Sequence, residues 1–532
     1  MRRPNFLFII TDQQRADHLG CYGNRVLRTP HIDALAGRGV CLERHYVAMP
    51  ICMPNRATLV TGRMPSVHGV RHNGIELPLG SITFPELLAG AGYGTALVGK
   101  SHLQNFTAVP PQYGGAEALR KLPEGHLQED HDRWSDPGFQ MRLPYYGFQS
   151  VDLVTRHGDR CAGDYLRWAL TRDPDFAGRP GPDHALPAPG YVTQEGWRTQ
   201  VPEALYSTTY VAERTVARLQ EFARQPENPF LLYCSFPDPH HPWTPPGRYW
   251  GMYRPEDIAL PQAYWGNTPG RAWDRTERTG QLHLDYYRDL RDGLAEGVSS
   301  HTPIPVRSVY ACSPREAQEA ISLTYCSLAM IDDAVGRIMA ELARLGLEQD
   351  TVVIFTSDHG DYMGDHQLML KSSMHYQGLV RTPFIWADAA LGAEAGSTRR
   401  QLTGAVDVAQ SILARAEVAP ADGMQGLDLN SLLRNPRQGT RDALLIEDED
   451  HRTPGWLGTR SRTRTLVTER YRLSLYQATD WGELYDLAED PLELHNLWER
   501  PEAAGLRAAL TEQLLRAMLE NANTLPKPTR FA

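Results

Sequence analysis

Residues 5–12 read Asn-Phe-Leu-Phe-Ile-Ile-Thr-Asp, an apolar run that ends in a hydroxyl and a carboxylate. Because the run has no polar alternation, it predicts a strand from Phe6 to Ile10 that is covered on both faces. Strands of this kind belong to parallel sheets between layers of helices. Ligands of such sheets bind at the carboxyl ends of the strands, so we expect Asp12 to lie at a functional site.

Four further apolar runs have the same character, and helical patterns lie between them. The predicted strands are Thr95 to Val98, Phe230 to Phe236, Val352 to Phe355 and Phe384 to Trp386, and the predicted helices are Phe84 to Ala91, Ala204 to Arg224 and Pro314 to Leu345. Strands that alternate with helices favour an α/β fold with a mostly parallel central sheet and helices on both faces.

Three regions depart from this alternation. Residues 104–200 and 242–310 are rich in Pro, Gly, Trp, Tyr and His and have weak periodicity, which is typical of functional loops. Past residue 435, two β segments, Arg464 to Thr468 and Tyr471 to Tyr476, precede a helix from Ala503 to Asn521. We therefore predict a main domain at 1–435 and a small α+β domain at 436–532.

The composition excludes several classes of protein. The 532 residues carry 54 basic and 64 acidic side chains, a net charge of −10, which argues against nucleic-acid and anionic-membrane binders. No run reaches the about 18 apolar residues that crossing a bilayer requires, and the first apolar run ends without a signal-peptide cleavage site. Seven cysteines without a Cys-x-x-Cys pair agree with a cytoplasmic protein.

Acidic residues from distant parts of the chain are expected at the same edge of the sheet. Asp12 follows the first strand, and Asp358 and His359 follow the strand that begins at Val352. Two carboxylates repel each other unless a cation lies between them, so their convergence with a histidine favours a divalent metal site. Either aspartate alone is better explained as the cap of a turn or a helix, and it is their combination with the motif below that favours the metal site.

The stretch Cys52-Met-Pro-Asn-Arg-Ala-Thr-Leu-Val-Thr-Gly-Arg63 combines a nucleophile with a cation. Pro54 suits the first turn of a helix, where its missing N–H costs little, and that end of a helix favours an anion. Arg56 lies about one turn after Cys52 and shares its face, so residue 52 could attack an oxyanion that Arg56 holds. An inert buried cysteine is the alternative.

This stretch resembles the Cys-x-Pro-x-Arg signature of the sulfatase family, within the alkaline phosphatase superfamily, in which the cysteine is oxidised to formylglycine. Other family elements follow in the family's order: Gly99-Lys-Ser-His102, Pro239-His-His-Pro242, Asp358-His-Gly360, Lys371, and Glu483-Leu-Tyr-Asp-Leu487 with Asp490-Pro491. The resemblance implies an alkaline-phosphatase-like fold, a catalytic domain at 1–435 and the hydrolysis of sulfate monoesters.

The resemblance also implies a metal centre with its own nucleophile. Cys52, as formylglycine hydrate (3-oxoalanine before hydration), is the nucleophile and a ligand of one divalent cation. Asp12, Asp358 and His359 complete the metal site, and Arg56 holds and polarises the hydrate.

Further basic residues match the family's contacts to the substrate. Lys100 and Lys371 contact the transferred anionic group, and His102 helps to break the covalent hemiacetal. His240 lies near the leaving oxygen, and His241 is the lesser candidate because the family pattern is Pro-His-x-Pro. Asn73 is a weaker candidate for lining the substrate pocket. Each of these basic residues, taken alone, is better explained by an ordinary loop or surface role, and their positions after predicted strands reverse that preference.

Two departures from the common family pattern narrow the relationship. Gln13 replaces a second aspartate after Asp12, and His359 replaces an asparagine after Asp358. Both resemble the branch that contains phosphonate monoester hydrolases and some bacterial aryl- and choline sulfatases. These two replacements make the metal site less anionic than the common family pattern. Calcium is the first expectation for the cation, and manganese is the alternative. Lys100-x-His102 instead resembles ordinary sulfatases.

Three hypotheses follow, in order of preference. The first is an arylsulfatase-like hydrolase of small-molecule sulfate esters, and the second is a phosphonate monoester or phosphodiester hydrolase that uses the same site. The third is an unmodified, non-catalytic binding protein of this fold. The implied partners are the formylglycine-generating enzyme during maturation and further copies of the chain in a homodimer or tetramer. We expect neither nucleic acid nor membrane as a partner.

Overall fold

The computed structural model describes residues 3–107, 125–267, 310–449, 462–477 and 479–526. Parts of the two predicted insertions (108–124 and 268–309) and of the predicted C-terminal domain (450–461, 478 and 527–532) lie outside the described residues. No helix among the described residues has both the length and the apolar character that a membrane crossing needs.

A nine-stranded mixed sheet forms the centre of the described structure. In chain order its strands are Asn5–Thr11 (β1), Val40–Leu42 (β2), Gly94–Gly99 (β3), Ser150–Thr155 (β4), Ala162–Gly163 (β5), Phe230–Ser235 (β6), Thr351–Ser357 (β7), Phe384–Ala387 (β8) and Ser397–Arg399 (β9). Across the sheet they lie in the order β9-β2-β8-β7-β1-β6-β3-β4-β5. The strands from β7 to β4 are parallel neighbours, whereas β8 and β5 pair antiparallel. The predicted α/β fold is confirmed.

Helices cover both faces of this sheet. The longer ones are Pro30–Gly37 (α1), Cys52–Thr61 (α2), Phe84–Gly90 (α3), Asp164–Arg172 (α4), Ser207–Ala223 (α5), Pro314–Arg344 (α6), Asp407–Arg415 (α7) and Ala504–Glu520 (α8). Leu7 of β1 belongs to the same buried cluster as Leu323 of α6, on one face. Phe8 of β1 belongs to a second cluster with Leu59 of α2, on the other face. Both faces of β1 are therefore buried, which explains its unbroken apolar sequence.

The predicted strands and helices are present with small shifts at their ends. The largest shift is at α5, which was predicted from Ala204 and begins at Ser207, because Glu203–Leu205 form a 3₁₀ turn instead. The prediction of irregular structure was wrong for part of 104–200, where β4, β5 and α4 lie. Polar residues interrupt the apolar pattern of β4, and Asp152 there pairs with Arg214 and Arg218 of α5.

A four-stranded antiparallel sheet follows in the C-terminal part. Its strands, neighbours in chain order, are Ala443–Glu449 (β10), Arg462–Thr468 (β11), Tyr471–Tyr476 (β12) and Gly482–Asp486 (β13). Leu466 and Leu473 pack with Leu514 of α8. Leu444 and Val467 pack instead in a cluster that includes Tyr46 and Leu379 of the preceding part. The sheet is thus packed on both sides, and the domain boundary at residue 435 stays a prediction.

Candidate active site

The carboxyl ends of parallel strands bring the predicted site residues together. Asp12 follows β1, Lys100 and His102 follow β3, His240 follows β6, and Asp358 and His359 follow β7, while Cys52 opens α2. All of these side chains are buried. The close approach of the neighbouring strands requires glycine before Lys100, because a Cβ at Gly99 would lie 1.8 Å from the Ser235 carbonyl oxygen.

The four predicted metal ligands form a compact cluster. One potential ligand atom from each of Asp12, Cys52, Asp358 and His359 lies within 4.8 Å of the others. His359 Nδ1 lies 2.8 Å from the Gly360 carbonyl oxygen, so Nδ1 carries the proton and Nε2 faces Cys52 Sγ at 3.1 Å. Carboxylate oxygens and an imidazole nitrogen around a shared point fit a divalent cation.

Arg56 connects the carboxylates of this cluster. Its Nε donates to Asp358 Oδ2 at 2.8 Å, and its Nη1 donates to Ser235 Oγ at 3.0 Å and to the Lys100 carbonyl oxygen at 3.1 Å. Nη2 lies 3.6 Å from Asp12 Oδ2 and has no hydrogen-bond partner among the residues that the structure describes. The guanidinium is therefore fixed in position and still has N–H groups for an anion.

Two lysines add positive charge to the surroundings of residue 52. Lys371 Nζ lies 3.2 Å from Cys52 Sγ and donates to Gln13 Oε1 at 3.0 Å. Lys100 Nζ donates to the Asp12 carboxylate. Both lysines are buried, and buried cations are costly unless they are paired or bind an anion. The centre is consequently suited to hold negative charge.

The pKa values of two groups report this positive field. Burial raises the pKa of the Asp12 carboxyl, but Lys100 and Arg56 more than offset that effect and hold it well below its ordinary value. Burial and Asp12 raise the pKa of the Cys52 thiol, yet Lys100 and Lys371 bring it below its ordinary value. Anionic forms are thus favoured at both positions.

Histidines line another side of the centre. His240 Nε2 lies 3.2 Å from Lys371 Nζ, and its ring stacks on His157 with the centroids 3.7 Å apart. The ring of His102 stacks on Phe106 at 3.9 Å. These stacks fix the planes of both rings and therefore the directions of their nitrogen atoms.

The predicted histidines are neutral in this environment. Burial lowers the pKa of His102 well below its ordinary value, and Lys100 and Arg56 lower it further. Burial, together with His157 and His241, has the same effect on the pKa of His240. A neutral imidazole has one N–H to donate and one nitrogen to accept, so both residues can move protons.

Two weaker sequence candidates occupy different surroundings. Asn73 Oδ1 accepts a hydrogen bond from the Met53 amide at 3.0 Å, which caps the N-terminal turn of α2. His241 Nδ1 lies 3.2 Å from Gln13 Nε2. A contact of Asn73 with substrate stays a prediction.

Several residues of the site were not singled out from the sequence. Gln13, noted only as a departure, has φ of 61°, donates through its backbone amide to Asp358 Oδ1 at 3.0 Å and donates through its side chain to Asp361. A non-glycine residue in this left-handed conformation is strained, and such strain is common at functional sites. Asp361 comes directly after the Asp358-His-Gly360 motif, and this position next to the motif was a signal that could have identified it. His157 follows β4, which was not predicted.

Comparison with known proteins identifies the group to which this site belongs. The profile of the sulfatase family matches residues 4–418, most of the chain. The chain belongs to the sulfatase family. A second profile, of the C-terminal part of N-sulphoglucosamine sulphohydrolase, matches residues 364–520. The resemblance inferred from the motifs is confirmed, and the protein is a sulfuric ester hydrolase.

Individual sulfatases and one related structure are similar over nearly the whole chain. An arylsulfatase of Clostridium perfringens is 26% identical over 508 residues, covering 93% of this chain and 90% of that protein. An N-acetylglucosamine-6-O-sulfatase of Bacteroides thetaiotaomicron is 24% identical over 554 residues, covering 96% of this chain and 86% of that protein. The crystal structure of a phosphonate monoester hydrolase of Agrobacterium radiobacter aligns with a TM-score of 0.75 at 25% identity, covering 100% of this chain and 98% of that one.

Proposed function

We propose that the protein is an arylsulfatase-like enzyme that uses formylglycine made from Cys52 and one divalent cation. The observation that carries this proposal is the buried cluster of Asp12, Cys52, Asp358 and His359 with cationic side chains beside it. A sulfate monoester is an anion whose sulfur accepts a nucleophile only when its oxygens are neutralised. A centre with this charge pattern meets that requirement.

The donor set supports a site for a metal and for the modified residue. Asp12, Asp358, His359 and residue 52 would hold the cation, calcium first and manganese as the alternative, because His359 adds a nitrogen to otherwise hard oxygen ligands. The Cys52 thiol marks the place of the hydroxyl groups of a formylglycine hydrate. When present, the two groups would supply positive charge and a nucleophilic hydroxyl at the sulfate.

The cationic side chains of the chain itself would bind and orient the sulfate group. Lys371 lies beside residue 52 and Lys100 beside Asp12. Arg56 Nη2 lies near the Asp12 carboxylate and has no hydrogen-bond partner in the described ranges. Because these groups are fixed by their partners before substrate arrives, they need little reorganisation as charge develops on the sulfate oxygens.

Two neutral histidines would handle the protons. His240 Nδ1 contacts the His241 carbonyl oxygen and so carries the ring proton, while its Nε2 accepts from Lys371 Nζ at 3.2 Å. A proton for the leaving phenolic oxygen would therefore pass from the Lys371 ammonium through His240 Nε2. His102 would accept a proton from a hydroxyl of the hydrate as sulfate is released. Within the described part of the chain its Nδ1 is buried without a hydrogen-bond partner, which supports a role as acceptor.

A second candidate function is the hydrolysis of phosphonate monoesters or phosphodiesters. Gln13 and His359, together with the similarity to a phosphonate monoester hydrolase, favour it. The same cationic centre accepts any small tetrahedral anion. The Lys100-x-His102 pair is the reason to rank sulfate monoesters first.

Parallel kinetics on modified and unmodified protein test the ranking. We expect protein produced with a formylglycine-generating enzyme to have a higher kcat/KM for p-nitrophenyl sulfate than for p-nitrophenyl phenylphosphonate. Mass spectrometry of the peptide that contains residue 52 measures the conversion of thiol to aldehyde, and Cys52→Ala is the unmodifiable control. A higher kcat/KM for the phosphonate would reverse the ranking.

Metal dependence is tested on the same preparation. Asp358→Ala should lose both the bound cation, measured by elemental analysis, and turnover. Full activity of Asp358→Ala would remove this residue from the site. Activity of fully converted protein after exhaustive chelation would contradict the role of the cation.

A further inference from the structure

His157 lies after β4 and contacts two residues of the proposed reaction. Its Nε2 is 2.7 Å from Lys100 Nζ and 3.7 Å from Asp12 Oδ2, and its side chain is buried. Its ring stacks on His240, with the centroids 3.7 Å apart and the planes at 12°. The proposed reaction does not itself use the His157 imidazole.

We propose that His157 is a positioning residue that acts on the sulfate through Lys100 and on the leaving group through His240. The proposal rests on the proposed function of those two residues. An ammonium group has only donors, so the 2.7 Å contact requires Nε2 of His157 to be the accepting nitrogen of a neutral ring. In this geometry His157 serves Lys100 as a hydrogen-bond acceptor.

The first half of the role concerns the direction of the Lys100 ammonium. Lys100 Nζ donates both to the Asp12 carboxylate and to His157 Nε2. Without His157, the Asp12 carboxylate would be the one of these two partners that remains, and it would draw the Lys100 ammonium toward itself. Two fixed contacts hold two of its three N–H bonds and direct the third toward the position of the sulfate.

The second half concerns the plane of the His240 ring. His157 covers it at 3.7 Å and His241 packs against it at 4.1 Å between centroids. The contact of His240 Nδ1 with the His241 carbonyl oxygen holds one edge of the ring. Removal of His157 uncovers one face of the ring, so that Nε2 is held less firmly in line with a leaving oxygen. Proton donation matters most for poor leaving groups, which need it to depart.

A second metal site is the competing interpretation of the same residues. Asp12, His157 and His240 each offer a ligand atom within 4.8 Å of the others. The Lys100 ammonium, however, already contacts both Asp12 and His157 and supplies the positive charge there. Two positive groups at this distance repel each other, so we infer positioning rather than metal binding.

Two substitutions separate the contacts. His157→Phe keeps a ring for stacking and removes the acceptor, so the inhibition constant of inorganic sulfate should rise about tenfold. His157→Gln keeps an acceptor and removes the stack. Its kcat/KM should fall about tenfold for phenyl sulfate but change little for p-nitrophenyl sulfate, which steepens the dependence on leaving-group pKa.

His45 offers a matched control. It is buried, its Nδ1 lies 3.2 Å from Thr403 Oγ1, and its ring packs on Phe384 with the centroids 4.4 Å apart. His45→Gln and His45→Phe should lower the Tm without changing sulfate inhibition or the leaving-group dependence. If the His157 variants behave in the same way, His157 is structural and the proposal fails.

Two more outcomes distinguish the possible failures. A second equivalent of divalent cation in the wild-type enzyme, lost in both His157 variants, would overturn the positioning role in favour of a metal ligand. Wild-type protein with a fully converted residue 52 and no sulfate-ester turnover would refute the proposed function. Calorimetric binding of inorganic sulfate would still test the Lys100 contact, because weaker binding to His157→Phe than to His157→Gln is expected.

Discussion

Lys371 makes more contacts with the proposed centre than its loop position in the sequence suggested. Its Nζ lies between 3.0 and 3.2 Å from Cys52 Sγ, Gln13 Oε1, His240 Nε2 and His359 Nε2. Taken alone in the sequence it was better explained as a solvated loop lysine, and its inclusion depended on its place after a predicted strand and on the family resemblance. The contacts make it a central cation of the site.

Replacement of this cation tests its contribution to turnover. Lys371→Met should lower kcat/KM for p-nitrophenyl sulfate by about 100-fold or more, since one fixed cation aimed at developing negative charge is lost. Lys371→Arg should retain part of the activity. Thermal unfolding serves as the control for folding, and near-normal kcat/KM of a folded Lys371→Met would remove the residue from the reaction.

Asp238 is a buried carboxyl close to the site, and it predicts a dependence of stability on pH. Thr208 Oγ1 donates to its Oδ2 at 2.9 Å, and burial raises its pKa to about 7. In the unfolded chain the pKa is about 3.9. The folded state therefore binds the extra proton, and this contribution to stability is complete below about pH 4 and is lost as the pH rises to about 7.

Asp238→Asn removes this titration. The free energy of unfolding of the variant minus that of the wild type should increase by about 1 kcal/mol or more between pH 5 and pH 8. Urea denaturation at the two pH values measures it. Equal pH dependence of the two proteins would show that the carboxyl is not protonated in the folded state.

At the scale of elements, one buried carboxylate holds several backbone amides of the loop after β3. Glu129 accepts hydrogen bonds from the backbone amides of His102, Leu103 and Gln104 at 2.8, 2.9 and 3.0 Å, and from Tyr145 Oη at 2.6 Å. His102 has φ of 58°, a costly conformation for a residue with a Cβ. Glu129 thus stabilises the conformation that directs His102 into the site.

Loss of this carboxylate should therefore impair catalysis as well as stability. Glu129→Gln offers fewer accepting lone pairs to the three amides, so we expect kcat/KM to fall about tenfold through misplacement of His102. Glu319 is a matched control, because its buried Oε2 accepts from the Val192 and Thr193 amides at 2.8 Å each. Glu319→Gln should lower the Tm and leave kcat/KM unchanged. An equal loss of kcat/KM in both variants would show that losing a buried carboxylate lowers activity in general, and that the Glu129 effect does not act through His102.

At the scale of the whole molecule, the C-terminal part supports the loop that carries Lys371. His375 Nδ1 lies 2.8 Å from Thr465 Oγ1, and the Gln377 amide donates to Glu493 Oε2 at 2.7 Å. Leu444 and Val467 also bury apolar surface against the preceding part. The predicted C-terminal domain is therefore expected to be required for the site as well as for stability.

Truncation after residue 435 tests this dependence. The fragment would expose the apolar surface that Leu444 and Val467 cover, so we expect it to aggregate or to unfold at a lower temperature, without turnover. Supplying residues 436–532 as a separate chain should restore part of the soluble yield if docking is the cause. A soluble fragment with wild-type kcat/KM would contradict the expectation.

Much of the fold and the proposed centre followed from local patterns. The unbroken apolar run from Phe6 to Ile10 predicted a doubly covered strand, and the strand ends predicted that Asp12 and Asp358 would converge. The stretch from Cys52 to Arg63 carried the most specific part of the family resemblance. These features depend on neighbours within one strand or one helical turn, so the sequence alone was sufficient to predict them.

The remaining features depend on contacts between distant segments. His157 follows a strand whose polar residues conceal its periodicity, and its partners, Lys100 and His240, lie on other strands. Glu129 reaches the His102 loop, and the C-terminal sheet reaches the Lys371 loop, only after packing. Sequence determined the elements and the chemistry at their ends, whereas the tertiary structure decided which side chains meet, because those contacts are set by the burial of apolar faces far apart in the chain.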